Sequence, residues 1–252
     1  MISYKEVRVR KSSEIRINTM KIKKTAIITG AGQGIGLAIA EKLAAQSVNL
    51  VLNDLEEGLI HDACKKISHH YGMSAIPVPG DASSEQVIET LVETAISNFG
   101  SVDIVIANAG ITLFGGFLDY SREDFMEVSR INQAGTFFLT QAAAKVMKDQ
   151  PSGGAILYTS SVTAHQSHEN LAAYAMSKAA IEMLAKNLVL ELAPMGIRIN
   201  TIAPGATITN RTISDPDYVK TWSKLTPVGS PANVEDIAAA AAFLVSDAAN
   251  HI

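Results

Sequence analysis

The hydrophobic positions along the chain fall into two alternating kinds of run. The first kind is short and mostly apolar: Thr25–Thr29 (TAIIT), Asn49–Asn53 (NLVLN), Ser74–Val78 (SAIPV), Asp103–Ala107 (DIVIA), Ala155–Thr159 (AILYT) and Ile197–Ile202 (IRINTI). These runs predict β-strands, with Pro77 marking a strand end or a sheet edge. The second kind is longer, with apolar residues recurring at helical spacing. It predicts helices over Leu37–Ala45, Gly58–Tyr71, a stretch opening at Ser83 and stopped by Gly100, Phe125–Met147, Ala172–Leu192 and Val234–Val245. Ser83 and Asn233 stand where helix caps belong, and Pro194 with Gly196 ends the fifth helix. Strands that are apolar on both faces and separated by helices imply a parallel sheet covered on both sides. The expected fold is therefore α/β, a doubly wound parallel sheet in a single domain. Its ligand site belongs at the carboxyl ends of the strands.

Composition narrows the class. The chain has 252 residues, 47% hydrophobic and 18% charged, with a net charge of −4. That describes a globular domain and excludes a nucleic-acid footprint. The single cysteine, Cys64, rules out an intramolecular disulfide, fits a reducing compartment and reads as a small helix side chain rather than a nucleophile. No apolar run approaches a membrane span and the N-terminus lacks an apolar signal core, so a cytoplasmic protein with no membrane or nucleic-acid partner is expected. Residues 1–20 carry a basic excess and read as an N-terminal extension before a domain over residues 21–252. They form either a disordered arm or an extra strand, or Met20 is the true start.

One glycine-rich stretch, Thr29-Gly-Ala-Gly-Gln-Gly-Ile-Gly36, follows the first strand and opens the first helix. Gly30 permits a tight turn, and Gly34 and Gly36 let backbone approach a pyrophosphate at a helix N-terminus. Asp54 ends the second strand 20 residues after Gly34. A carboxylate there accepts both ribose hydroxyls of an adenosine and repels a 2′-phosphate, which favours NAD over NADP. Gln33 supplies no positive charge for such a phosphate. Asp81, after the third strand, either accepts from the adenine amine or simply forms a turn beside Gly80.

A second constellation lies in the C-terminal half. Tyr174 and Lys178 are four residues apart on a predicted helix, so phenol and ammonium share a face. A fixed ammonium favours the phenolate and suits it to acid–base work. Ser161 follows a strand 13 residues before Tyr174, so its hydroxyl projects into the same crevice. Asn132, among apolar helix neighbours, needs a hydrogen-bond partner if buried.

Together these motifs resemble the short-chain dehydrogenase/reductase family in its compact, Rossmann-type single-domain form. The resemblance runs from about Lys24 to the chain end. It also draws on Asn108-Ala-Gly110 after the fourth strand and on Pro204-Gly205 with Thr209. It implies that Tyr174 is the general acid/base, that Ser161 hydrogen-bonds the reacting oxygen, and that Lys178 tunes the tyrosine and binds the nicotinamide ribose. Asn132 is implied to hold a water in a proton relay. Cofactor contacts are implied for Gly30, Gln33, Gly34, Ile35 and Gly36, for Asp54, Asp81 and Ala82, for Asn108, Ala109 and Gly110, and for Pro204, Gly205, Thr207 and Thr209. The expected cofactor is NAD rather than NADP, no metal is expected, and the resemblance implies a homotetramer built on the long helices.

Two departures stand out. Ala107 replaces the first asparagine of the family's Asn-Asn-Ala-Gly, and the chain stops before the family's last strand, so that either the sequence is truncated or this strand is missing. Substrate specificity is expected from Val162–Ala173, with His165 and His168 beside Ser161 and Tyr174 as candidate contacts, and from the loop-rich segment Ile208–Ser230, a lid position. The expected function is an NAD(H)-linked dehydrogenase of a secondary alcohol or ketone, close in look to sugar dehydrogenases. The alternatives are an NADPH-dependent 3-oxoacyl-thioester reductase and a non-catalytic nucleotide-binding sensor or scaffold; an epimerase or dehydratase on the same fold is disfavoured by the compact length.

Overall fold

The computed structural model describes residues 23–252, so the extension expected over residues 1–20 lies outside the described residues. The six apolar runs form β1 (Thr25–Ile28), β2 (Asn49–Asp54), β3 (Ala75–Pro79), β4 (Ile104–Ala107), β5 (Gly154–Thr159) and β6 (Ile197–Ile202). They pair in parallel in the order β3-β2-β1-β4-β5-β6. Every residue of β1 and β4 is buried, which is why both read as unbroken apolar runs. After β3 the chain returns to place β4 beside β1, and this reversal opens a crevice at the carboxyl ends of those two strands.

The helices are α1 (Gly34–Ala44), α2 (Glu57–Tyr71), α3 (Glu85–Phe99), α4 (Arg122–Val128), α5 (Thr136–Met147), α6 (Ala172–Leu192), α7 (Tyr218–Leu225) and α8 (Val234–Leu244). Ile39, Ile60, Cys64 and Ala241 of α1, α2 and α8 pack on one face of the sheet, against Ile28, Leu50 and Ile106. Leu91, Leu139 and Ile181 of α3, α5 and α6 pack on the other, against Ile27, Val105 and Tyr158. Alternate residues of each strand thus feed two separate cores, as the pleat requires. Gly100 ends α3 in the left-handed conformation, and Asn233 with Asp236 forms a capping box on α8.

Three segments differ from the sequence-based expectation. Ser84 rather than Ser83 stands at the N-cap of α3, and Ser83 donates to Asp81 instead. The long helix expected over Phe125–Met147 begins earlier, at Arg122, where the Ser121 hydroxyl accepts from the Asp124 N–H. It then widens into a π-helical turn over Ser129–Gly135 before α5. The loop expected over Ile208–Ser230 contains the helix α7. Its ends are tied by a two-stranded pairing of β7 (Thr207–Ile208) with β8 (Ala232–Asn233).

Among the described residues the main sheet has six strands, with β6 at its edge. Arg198 and Asn200 of β6 donate to the Ile252 carbonyl, which draws the last residues over that strand. Among the described residues no helix is long and apolar enough to cross a membrane, and no group of three or more metal-ligating side chains occurs. Cys64 is buried, and desolvation pushes its thiol up to about 12, so it is not a thiolate nucleophile near neutral pH.

Candidate active site

Two adjoining hollows open at the carboxyl ends of the strands. The first, of about 440 Å³, is the crevice between β1 and β4. Its floor is the glycine turn. Gly30 and Gly34 hold φ of +62° and +60°, which a side chain resists. A Cβ on Gly34 would meet only Thr209, at 3.9 Å or beyond, so the turn leaves open space above it. Gly36 plays a different part from the expected one. It does not line the crevice; a Cβ there would sit 2.1 Å from the Gly30 carbonyl oxygen. Its bareness lets α1 pack on the turn.

Asn108 braces the same turn. Its side-chain amide donates to the carbonyls of Thr29 and Gly30 at 3.1 and 3.0 Å. The Thr29 hydroxyl in turn accepts from the Asn108 and Ala109 N–H groups. Asn108, Ala109 and Gly110 all line the crevice, as do Gln33, Ile35 and Ala82.

Asp54 stands at the end of β2, where the sequence places it. Its carboxylate accepts from the Gly32 N–H at 2.9 Å and from the Glu56 N–H at 3.2 Å. Both bonds aim it at the crevice it lines. Asp81 lines the crevice too, but its oxygens are already engaged. One accepts from the Ser83 N–H and hydroxyl, and the other from Arg130 at 2.5 Å. Burial alone would raise the Asp81 carboxyl, but the Ser83 and Arg130 bonds outweigh it and hold it below its ordinary value. Arg130, which the sequence did not single out, is held charged by Glu127 and Asp81 and lines the crevice wall.

This crevice fits a dinucleotide. A bare, positive-φ glycine turn at the N-terminus of α1 leaves room for a pyrophosphate, and a carboxylate at the end of β2 suits a ribose diol.

The second hollow, of about 530 Å³, shares Ile35, Asn108, Gly110, Thr209 and Arg211 with the first. Ser161, Tyr174 and Lys178 line it together, with Pro204, Gly205 and Thr207 along one side. Lys178 is buried at 4% exposure. Its ammonium donates to the Thr159 carbonyl at 2.7 Å and stands 5.6 Å from the centre of the Tyr174 ring. The strand-end carbonyl thus fixes the cation beside the phenol. Ser161 accepts from the Thr163 N–H at 3.2 Å, which leaves its hydroxyl proton to be donated.

Asn132 does not line either hollow. It is buried in the π-helical turn, where its carbonyl oxygen accepts from Ile111 N–H at 2.8 Å. Its amide donates to the Ile111 carbonyl and to Ser177 at 3.0 and 2.9 Å. Both amide hydrogens are spent on protein. The side chain thus ties the loop following β4 to the helix that carries Tyr174 and Lys178. The π-helical turn is the local widening in which the side chain sits.

His165 is also placed elsewhere. Its Nε2 lies 3.0 Å from the Glu182 carboxylate, and it does not line the second hollow. His168 does line it, together with Glu169, Trp222 and Phe114.

Burial pushes the Lys178 ammonium down to about 8, and the positive charge of Arg211 adds to the shift. The ammonium is charged below that pH and neutral above it. Activity that depends on its charge therefore falls as pH rises through about 8. Arg211→Gln removes one cause, so the alkaline limb of log kcat/KM for the alcohol moves to higher pH. A limb that stays put or moves down on titrating wild type and variant in parallel would contradict this.

Comparison with known proteins decides the family. The family model described as enoyl-(acyl carrier protein) reductase matches residues 30–252. An L-rhamnose 1-dehydrogenase (NAD(P)(+)) of Azotobacter vinelandii is 35% identical over 92% of this chain and 93% of its own. The chain belongs to the short-chain dehydrogenase/reductase family. Another relative is 3β-hydroxysteroid dehydrogenase 1 of Eggerthella lenta, 36% identical over 91% of this chain and 89% of its own. Among solved structures, L-sorbose reductase of Gluconobacter frateurii, complexed with NADPH and L-sorbose, superposes with a TM-score of 0.87. It is 28% identical and covers 91% of this chain and 92% of that one. This chain is thus a nicotinamide-dependent short-chain oxidoreductase that moves hydride between cofactor and a secondary alcohol or ketone. The relatives' names span sugars and a steroid, so similarity fixes the reaction type and leaves substrate and cofactor preference to the site.

Proposed function

We propose that this short-chain dehydrogenase oxidises a polar, hydroxyl-rich secondary alcohol with NAD, or reduces the matching ketone with NADH. The observation that carries this reading is the buried Lys178 ammonium, held by the Thr159 carbonyl beside the Tyr174 ring in a hollow that opens into the glycine-floored crevice. Asp54 supports NAD over NADP, because its charge meets a 2′-phosphate with repulsion. Names of relatives that act on L-rhamnose and L-sorbose support a sugar-like substrate.

A bound nicotinamide dinucleotide supplies the hydride acceptor or donor that no side chain provides. The chain supplies position and a proton path. Ser161 donates to the substrate oxygen and holds it toward Tyr174. In oxidation, the ionised phenol takes the hydroxyl proton as the carbonyl forms; in reduction, the phenol returns it. Lys178 stabilises the negative charge on the phenolic oxygen between those events, and Asn132 keeps the helix carrying both residues in register.

A panel of polyols, simple secondary alcohols and 3-hydroxyacyl thioesters, each with NAD and NADP, tests this reading. Turnover concentrated on polyols with NAD is expected. Turnover confined to thioesters with NADP would overturn it in favour of an acyl-thioester reductase, and nucleotide binding with no turnover at all would favour a sensor.

A homo-oligomer is part of the same proposal. Phe137, Phe138 and Met126 are exposed on the α4–α6 face, around an apolar hollow of about 730 Å³. A second copy would cover it, and sedimentation as a monomer at micromolar concentration would refute this. A reducing, cytoplasmic setting fits the single buried thiol.

A further inference from the structure

Buried polar side-chain atoms in folded proteins nearly always have a hydrogen-bond partner, and the exceptions need an explanation. Among the described residues five such atoms are buried without one: Thr25 Oγ1, Asn53 Oδ1, Thr159 Oγ1, Thr163 Oγ1 and His168 Nε2. Three of the five, on Thr159, Thr163 and His168, belong to residues that line the one hollow holding Tyr174 and Ser161. The three atoms themselves have almost no open surface, but their residues line that hollow, which makes its wall the place where the protein leaves most polar atoms unsatisfied.

The surroundings say which chemistry would satisfy them. His168 is packed against Trp222, with ring centres 6.2 Å apart, and Trp222 against Tyr218 at 6.1 Å. Tyr218 is pinned in turn, its hydroxyl accepting from the Thr207 N–H at 3.1 Å and donating to the Thr207 carbonyl at 3.2 Å. This aromatic row joins the segment after β5 to α7 across the hollow. Its residues line the hollow together with Thr159 and Thr163. An imidazole nitrogen either donates or accepts according to tautomer, and threonine hydroxyls do both. A substrate hydroxyl matches every one of these states, whereas a carbonyl or an ammonium matches only some. The charged residues lining the hollow, Lys178 and Arg211 against Glu169 and Asp215, show no excess of either sign. A neutral ligand suits that balance better than a carboxylate or phosphate.

We infer that His168, backed by Trp222, is a specificity-determining residue that hydrogen-bonds a second hydroxyl of the substrate, beyond the reacting carbon. The assignment rests on the dehydrogenase reading above. It deepens that reading to a neutral diol or polyol carrying an exposed C–H face.

A matched pair of alcohols tests it: cyclohexane-1,2-diol and cyclohexanol, each with NAD, differing only in the second hydroxyl. Wild type is expected to favour the diol in kcat/KM by about tenfold, the worth of one hydrogen bond. In His168→Leu that ratio falls toward one, chiefly through KM for the diol. His168→Asn keeps a donor and an acceptor in place and recovers part of the ratio, which separates recognition from mere packing. An unchanged ratio in His168→Leu, or equal losses on both alcohols in both variants, overturns the assignment while leaving the dehydrogenase standing. Nucleotide binding with no oxidation of any alcohol overturns the dehydrogenase reading, and this one with it.

Discussion

Tyr174→Phe lowers kcat by about 10²–10⁴-fold, the range for loss of a positioned general acid/base, while nucleotide binding is retained. The substitution removes one oxygen and keeps the ring that Lys178 faces at 5.6 Å, so the packing of α6 is undisturbed. In the proposed mechanism the phenolic oxygen is the group that exchanges a proton with substrate, and Ser161 is not expected to replace it. A serine hydroxyl holds the substrate oxygen but has no fixed ammonium to stabilise its ionised form, because Lys178 is bound to the Thr159 carbonyl on the tyrosine side. Single-turnover rates with saturating cofactor and alcohol, beside an NADH binding titration, check both halves of this expectation. A variant that keeps wild-type kcat would place the proton transfer elsewhere.

The cofactor preference carries the second large effect. Juxtaposed like charges cost several kcal/mol, so Asp54 in wild type is expected to favour NAD over NADP by a factor on the order of 10² in kcat/KM. Asp54→Asn keeps the carbonyl oxygen that the Gly32 N–H requires, so the glycine turn retains its 2.9 Å bond while the charge disappears. The preference should then shrink to within about tenfold, by recovery with NADP as well as loss with NAD. Arg130 does not offset the argument, since its guanidinium is committed to Asp81 and Glu127. If wild type already prefers NADP, the role of Asp54 is wrong and the catalytic set is untouched.

The strands and the glycine turn were legible in the sequence for a physical reason. Buried parallel strands leave no polar face, so each appears as an apolar run, and a turn that needs φ near +60° at Gly30 and Gly34 selects glycine. Tyr174 and Lys178 were legible because helical spacing alone brings them together. The π-helical turn was not. The widening over Ser129–Gly135 is confined to seven residues, too short a stretch to register as a change of apolar period, so the sequence reads as one helix. The start at Arg122 was written in Ser121 and Asp124, a cap pattern that outranked the apolar period. Helix α7 does carry an apolar stripe at helical spacing, Tyr218, Trp222 and Leu225, but it is only eight residues long and none of them is buried, so the stripe was read as part of a loop. His165 and His168 looked equivalent because spacing within a loop fixes no direction. A short 3₁₀ turn at Val162–Ala164 precedes them, and the fold sends His165 to Glu182 and His168 into the substrate hollow. The pairing of Arg130 with Asp81 spans 49 positions and leaves no local trace.

The central claim is that this chain is a dehydrogenase whose proton passes through Tyr174. The most direct test is the pre-steady-state reduction of NAD by wild type and Tyr174→Phe on one polyol, followed by nicotinamide absorbance. The account predicts rapid NADH formation in the wild type and its near-absence in the variant, with NAD bound equally by both. Equal rates in the two proteins would contradict it.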